Sequence, residues 1–304
     1  MRKIVFIAIL LSPFALHLSP CQAQLLYRIS GKDLKAPSYI VGTYHLAPGT
    51  FADSIPGLKD ALASCKQMYG ELDMRDALKN PEKKAEMENM QFLPEGKTLT
   101  SLLSKEQLER LNALMRETLG ADLSNPAMAQ IDKMTPMTLA TTLTMFAYMK
   151  KTPRFNPMDL IDAHLQTMAE QQGLEIRGFE TVEFQLKVLY GSPLEEQVND
   201  LMCMVDNFKD GIEMAEFVTA AYFSQDLDML LELETEDQEE GPCASDPEEN
   251  ERLVYDRNRD WVKHMPEIMG EAPTFFAVGA AHLVGDKGVL RLLEEKGYKV
   301  EGVK

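Results

Sequence analysis

Two copies of one four-residue pattern, Gly-x-x-His, lie near opposite ends of the 304-residue sequence. Gly42 precedes His45, and Gly279 precedes His282, each directly after an apolar, strand-like run. A glycine at a strand end lets the chain turn sharply. The histidine then emerges at the carboxyl edge of the sheet, where open α/β sheets place their ligand sites. Two such strands side by side would direct two imidazoles to one point, which suits a transition-metal ion.

Carboxylates that could complete such a metal shell occur in two pairs. Glu71 and Asp73 lie in the strand-like segment 69–73, where a period of two puts both side chains on one face. An acidic residue in an apolar strand is costly unless it is paired or bound to metal. Glu180 and Glu183 follow another short strand. The alternative for each carboxylate is an ordinary charge at a helix start, and this alternative is stronger for Glu183 than for Glu71.

Other polar residues carry weaker signals. Arg257 and Asn258 lie on the helix that precedes the last apolar strand, and an isolated Arg-Asn pair is usually a surface feature. His164 and His264 have no comparable setting, and we expect both to be ordinary helix residues.

The elements that must position these residues resemble one another at the two ends of the chain. Segment 25–44 is typical of a β-hairpin, and 56–73 continues it into a strand–helix–strand unit. Segment 274–303 predicts a second such unit, and the long middle of the chain is mostly helical. We therefore predict a mixed α/β fold. Its central β-sheet is built from two pseudo-symmetric strand–helix–strand end units and is flanked by a large helical region. We expect one domain over 24–304, with a helical insert at approximately 81–172.

Composition limits the classes of partner. The formal net charge is −17, and 45% of the residues are hydrophobic, which is enough for a sizeable core. So acidic a surface argues against nucleic acid or an anionic membrane as the main partner. Four cysteines are too few for a disulfide-built scaffold of this length.

The N-terminus predicts export. Residues 1–23 combine the basic pair Arg2 and Lys3, an apolar stretch, and small residues where a signal peptidase cleaves. Its removal would change the charge from −17 to −19, because the segment carries two basic residues and no acidic one. We predict a periplasmic or extracellular protein whose mature chain has no membrane span. A lipoprotein anchored through Cys21 is the alternative.

Three cysteines remain in the mature chain. In an oxidising compartment one pair could be bridged, and we favour Cys203 with Cys243 because both lie in the same helical, acidic stretch. The alternative is three buried free thiols, including Cys65.

Taken together and in this order, these residues resemble the TraB/GumN family, which includes the Tiki metalloproteases. The resemblance covers about residues 25–303. It rests on five blocks: Leu26–Gly31 with GTYH, Gly70–Asp73, Met158-Asp159, Gly178–Thr181 with Gln185, and Arg257-Asn258 with GAAH.

The resemblance implies a mixed α/β fold related to ChaN and erythromycin-esterase-like proteins. It also implies metal-dependent hydrolysis, with manganese or cobalt favoured over zinc. The matched positions are His45, Glu71 and His282 for the paired histidines and glutamate, Glu180 for the later glutamate, and Arg257 with Asn258 for an Arg-Asn pair.

The leading functional hypothesis is an exported metal-dependent hydrolase, with a peptidase as the favoured class and a peptide or protein as its substrate. Two histidines and a glutamate would hold a metal-activated water. Glu71 or Glu180, whichever is not a ligand, would act as general base. Arg257 and Asn258 could stabilise an oxyanion. Two alternatives remain: a non-catalytic envelope protein that binds metal, haem or a partner, and a small-molecule esterase.

Overall fold

A computed structural model of the chain describes residues 24–75, 80–152, 155–240, 243 and 247–304. The predicted signal peptide, including Cys21, lies outside the described residues. The strands are β1 (Leu26–Ser30), β2 (Ser38–Thr43), β3 (Gln67–Gly70), β4 (Glu175–Gly178), β5 (Thr274–Gly279) and β6 (Lys299–Gly302).

The helices lie between and around these strands. Their bounds are α1 (Leu58–Ser64), α2 (Pro81–Met90), α3 (Leu99–Leu102), α4 (Lys105–Leu119), α5 (Pro136–Lys151), α6 (Ile161–Gln171), α7 (Val182–Tyr190), α8 (Leu194–Asp206), α9 (Phe208–Phe223), α10 (Leu227–Glu240), α11 (Pro247–Asn250), α12 (Asp256–Glu271) and α13 (Val289–Glu295). A π-helical turn, Glu251–Tyr255, leads into α12. The mixed α/β class is therefore confirmed.

The sheet has the strand order β4-β3-β5-β2-β1-β6. Strands β4, β3, β5 and β2 are parallel, so their carboxyl ends share one edge. In the pairing of β2 with β5, Gly42 lies opposite Val278, and Thr43 opposite Gly279. The two Gly-x-x-His segments are therefore neighbours, as the sequence predicts.

The two end units differ in where their second strand pairs. The opening unit is β2–α1–β3, and β3 pairs in parallel with β5. The closing unit is β5–α13–β6, and β6 pairs antiparallel with β1. Strand β1, the partner of β2 in the predicted hairpin, separates β6 from the parallel strands. The pseudo-symmetry is incomplete because the closing unit must cross this extra strand.

The helical region has an apolar core of its own. Helix α4 begins at a capping box, in which the Ser104 side chain accepts from the Gln107 backbone N–H and the Gln107 side chain accepts from the Ser104 backbone N–H. Buried residues of α4 and α5, such as Leu111 and Leu143, pack in one cluster with Leu201 of α8. Helices that precede β4 in the sequence and a helix that follows it therefore share one apolar core.

The cysteines have distinct roles in this fold. A disulfide joins Cys203 and Cys243, which confirms the favoured pairing, and Cys65 is a buried free thiol. In the parts of the chain that the structure describes, no helix is long and apolar enough to span a bilayer.

Candidate functional site

Four side chains follow the carboxyl ends of the four parallel strands. In the order of the sheet they are Glu180 after β4, Glu71 after β3, His282 after β5 and His45 after β2. The parallel register places these strand ends at one edge. The fold thus brings together the histidines and the two carboxylates that the sequence singles out.

Arg257 lies at the centre of this edge. Its Nη2 donates to Glu71 Oε2 at 2.6 Å, and its Nε donates to Glu180 Oε1 at 2.6 Å. Nη1 lies 3.2 Å from His282 Nε2 and donates to the carbonyl of Leu253, in the π-helical turn, at 2.9 Å. The side chain is 6% exposed. A guanidinium therefore occupies the space between two carboxylates and an imidazole.

His282 is buried and neutral in this environment. Its Nδ1 lies 2.7 Å from Asn258 Oδ1, so Nδ1 carries the proton and Nε2 has a free lone pair toward Arg257. Burial, with the positive charge of Arg257, lowers the pKa of His282 to about 4. Asn258 is fully buried, and its amide nitrogen donates to the carbonyl of Lys287 at 3.0 Å.

His45 is exposed, and a carboxylate holds it. Its Nδ1 lies 3.2 Å from Asp162 Oδ2, and Thr43 Oγ1 donates to Asp162 Oδ1 at 2.6 Å. The hydrogen bond to Asp162 raises the pKa of His45 to about 9. The same hydrogen bond and charge hold the pKa of Asp162 below its usual value, although burial alone would raise it.

The pKa values of the two central carboxylates shift in opposite directions. Burial would raise the pKa of Glu71, but the positive charges of Arg257 and His45 and the backbone N–H of Gly279 lower it below its usual value. That N–H donates to Glu71 Oε1 at 2.8 Å. Burial raises the pKa of Glu180, even though Arg257 and the Trp261 indole, which donates at 3.0 Å, both stabilise its charge.

Asp73 does not join Glu71, which corrects the expectation that both share one strand face. Strand β3 ends at Gly70, so alternation does not extend to Asp73, which pairs with Arg75. The chain passes close to Gly178 here: a Cβ on Gly178 would lie 2.7 Å from the Asp73 nitrogen. Where the chain passes Gly178 in this way, β3 does not continue beyond Gly70.

Three other polar residues are peripheral, as expected. Glu183 is an exposed residue of the first turn of α7. His264 is exposed beside Asp260, and His164 is partly exposed near Asp159.

One cavity of about 610 Å³ opens onto this edge of the sheet. His45, Glu71, Asp162, Arg257 and His282 line it. Among the described residues, Glu180 and Asn258 do not belong to that lining and lie behind Arg257 and His282.

Asp162 and Trp261 are the site residues that sequence reasoning missed. Asp162 lies in the first turn of α6, where an acidic residue is common for capping reasons. The signal that could have found it is the acidic, apolar start of that helix, Met158-Asp159-Leu160-Ile161-Asp162. Trp261 lies one helical turn after Arg257 and gave no signal beyond being the chain's one tryptophan.

The side chains fit a transition-metal ion in kind. Two imidazoles and a carboxylate line one cavity, and a polar partner holds Nδ1 of each imidazole, as outer groups do around metal-binding histidines. Their spacing is not that of a complete centre: within the described ranges, no three His, Cys, Asp or Glu side chains form a metal-binding group. Arg257 fills the space beside Glu71, with His282 Nε2 3.9 Å from Glu71 Oε1.

Sequence comparisons match the chain to one protein family and to named relatives. The TraB/PrgY/gumN family matches residues 25–302. The chain is 25% identical to metalloprotease TIKI2 of Danio rerio over 306 aligned positions, which cover 87% of the chain and 58% of the relative. Metalloprotease TIKI1 of Homo sapiens is 24% identical, with 87% and 59% covered.

The chain thus spans less than two thirds of the length of these relatives. No solved structure is significantly similar to it. Because the family match covers nearly the whole described chain, the protein belongs to the TraB/PrgY/gumN family.

Proposed function

We propose that this protein is a metal-dependent hydrolase. The observation that carries the proposal is the convergence of His45, Glu71 and His282 from three neighbouring parallel strands onto one cavity. These three side chains would hold the ion. A bound divalent ion would lower the pKa of a water molecule and polarise a carbonyl group.

Of the two central carboxylates, Glu71 is the one that faces the cavity. It lines the cavity, and its low pKa keeps it ionised at neutral pH. Glu180 has the raised pKa that suits a general base. It is separated from the cavity by Arg257, however, so we assign it to holding that guanidinium in place.

The sequence suggests one role, stabilisation of an oxyanion, for both Arg257 and Asn258, and we assign that role to Arg257 alone. Arg257 lines the cavity and would place positive charge beside a carbonyl oxygen that becomes negative. Both ends of the Asn258 amide have protein partners, His282 and the Lys287 carbonyl. Asn258 therefore positions His282, and Asp162 positions His45, by fixing which ring nitrogen bears a proton.

Within the hydrolases, we favour a peptidase. The relatives are named metalloproteases, and the cavity lies in the size range of ligand-binding pockets, about 300 to 1,000 Å³. Manganese and cobalt remain the favoured ions over zinc. The signal-like segment 1–23 supports export to the periplasm or the medium.

The test combines metal content with turnover. Chelator-treated protein would be reloaded with Mn²⁺, Co²⁺ or Zn²⁺, and its metal stoichiometry and cleavage of peptide and ester panels would be measured. We expect about one ion per chain and ion-dependent peptide cleavage, both lost in His45→Ala and His282→Ala. His164→Ala is the matched control and should keep both. Wild-type protein that binds no metal and cleaves nothing would contradict the proposal; ester cleavage alone would indicate the esterase.

One observation favours a second candidate, a non-catalytic metal-binding protein. Arg257 pairs with both Glu71 and Glu180, and Glu180 does not line the cavity, so neither carboxylate is free to act as the general base that turnover requires. Stoichiometric metal binding without turnover on any substrate of the panel would support this candidate.

A further inference from the structure

The cavity combines a few ionisable side chains with a larger apolar surface. The ionisable site residues share its lining with uncharged side chains, most of which are apolar. That apolar surface includes four methionines, Met68, Met74, Met87 and Met214, together with aliphatic residues such as Val218 and Leu233. We call the methionine, aliphatic and aromatic residues of this lining the apolar wall.

Helix α9 contributes one full face to the apolar wall. Met214, Val218 and Tyr222 recur every four residues and so lie on one side of the helix. Phe217, between them in sequence, is 62% exposed and does not belong to the described lining of the cavity. The same helix thus offers a cavity-facing and a solvent-facing apolar residue only three positions apart.

The charge pattern of the lining selects the ligand. A charged group placed against the apolar wall would lose its hydration without gaining a partner, which is expensive. A bulky aliphatic or aromatic side chain, in contrast, gains binding free energy when it is buried there. Methionines adapt to different apolar shapes, so several such side chains are acceptable.

We propose that the apolar wall is a substrate side-chain pocket, and that it selects peptides with neighbouring bulky apolar residues beside the cleaved bond. The inference rests on the proposed function and names its substrate class. A peptide fits because one continuous space of about 610 Å³ must accept polar amides beside the ionisable side chains and several apolar groups against the apolar wall. An acyl chain would satisfy the wall, but its one carboxylate would compete with Glu71, Glu180 and Asp162 for cations that these residues already pair with.

The experiment measures binding separately from cleavage. Two fluorescent peptides of equal length and charge, one with a central Leu-Met-Phe and one with Ser-Asn-Gln, are titrated by anisotropy into chelator-treated protein. We expect the apolar peptide to bind at least about tenfold more tightly, the discrimination typical of apolar pockets. Met214→Glu should remove that preference, whereas Phe217→Glu, which adds the same charge to the outer face of α9, should change Kd less than about twofold.

A third peptide with Lys in place of the central Met should bind Met214→Glu more tightly than wild type, because the new carboxylate supplies the missing partner. Equal binding of the two neutral peptides, equal effects of the two glutamate variants, or tighter binding of dodecanoate than of peptide would each overturn the proposal. Selective binding without cleavage under any metal would leave the pocket in place and contradict only the hydrolase. Metal-dependent cleavage without selectivity for apolar peptides would support the hydrolase and contradict the pocket.

Discussion

The two Gly-x-x-His segments are alike in sequence and opposite in environment. Both follow neighbouring parallel strands, yet His45 is exposed and has a pKa of about 9, whereas His282 is buried and has a pKa of about 4. Partner and burial together make the difference: the carboxylate of Asp162 holds the first ring, whereas the second ring is buried beside the positive charge of Arg257 and is held by the neutral amide of Asn258.

This contrast teaches that the motif sets position and the packed helices set protonation. The strand ends bring both rings to one cavity. Helix α6 supplies the partner of one ring, and helix α12 supplies the partner of the other. At neutral pH one ring is therefore a cation at the rim of the cavity, and the other is a neutral acceptor below it.

The largest expected effect comes from removing Arg257, the cation that lies beside the neutral ring of His282. Arg257→Met would leave Glu71 and Glu180 buried without their partner, which should lower the free energy of unfolding by about 3 to 5 kcal/mol. Arg259→Met, two residues along, removes two exposed ion pairs, with Glu251 and Asp256, and should cost less than about 1 kcal/mol. Urea unfolding measures both, and similar losses in the two variants would refute the central role of Arg257.

The next effect is the pH dependence of stability that His282 contributes. Its pKa is about 4 in the folded chain and about 6.5 when unfolded, so between these values only the unfolded chain takes up the proton. Stability should be unaffected above pH 6.5 and should fall by as much as about 3 kcal/mol as the pH drops to 4.

The check for His282 is a pair of stability curves for metal-free wild type and His282→Asn. The difference between the two curves isolates the contribution of His282 from that of the many carboxylates that titrate below pH 5. A difference that stays constant between pH 6.5 and 4 would mean that His282 is not held neutral.

The placement of the paired histidines could be read from sequence because it depends on local features. An apolar strand followed by a glycine turn marks a strand end, and parallel pairing then brings the ends of β2 and β5 together. Glu71 was accessible by the same reasoning. Asp73 was not, because the close passage of the chain by Gly178 ends β3 early, and no local pattern records that contact.

The polar partners could not be read in this way. Asp162 is 117 residues from His45 along the chain, and Arg257 is 186 residues from Glu71. Each contact depends on how a helix packs against the strand ends. An acidic residue in a first helical turn and an Arg-Asn pair both have ordinary surface explanations, so residue type alone does not identify them.

Replacing the carboxylate partner of His45 by an amide should move the pKa of His45 toward that of His282. In Asp162→Asn, Thr43 would still occupy Oδ1, so the amide nitrogen would face His45 Nδ1, which must then accept a hydrogen bond. The pKa of His45 should fall from about 9 by at least about one unit, equivalent to roughly 1.4 kcal/mol. NMR titration of the ring nitrogens measures this, with Asp159→Asn as the control. An unchanged pKa would show that Asp162 does not set it.

The smallest effect separates the two glycines. A Cβ on Gly42 would lie 3.0 Å from Leu283 Cδ1 and 3.1 Å from Ala280 Cα, both in the buried segment that follows β5. Because backbone cannot yield easily, Gly42→Ala should cost about 1 to 2 kcal/mol.

A Cβ on Gly279 would meet only side-chain atoms, Glu71 Oε1 at 3.3 Å and His282 Cδ2 at 3.5 Å. The carboxylate can shift by a few tenths of an ångström, so Gly279→Ala should cost less in unfolding free energy than Gly42→Ala and should instead disturb the position of Glu71. Thermal unfolding of the two variants, with metal titrations of both, tests this division. If Gly279→Ala proves the less stable of the two, the close contact between the two Gly-x-x-His segments is not what requires glycine at position 42.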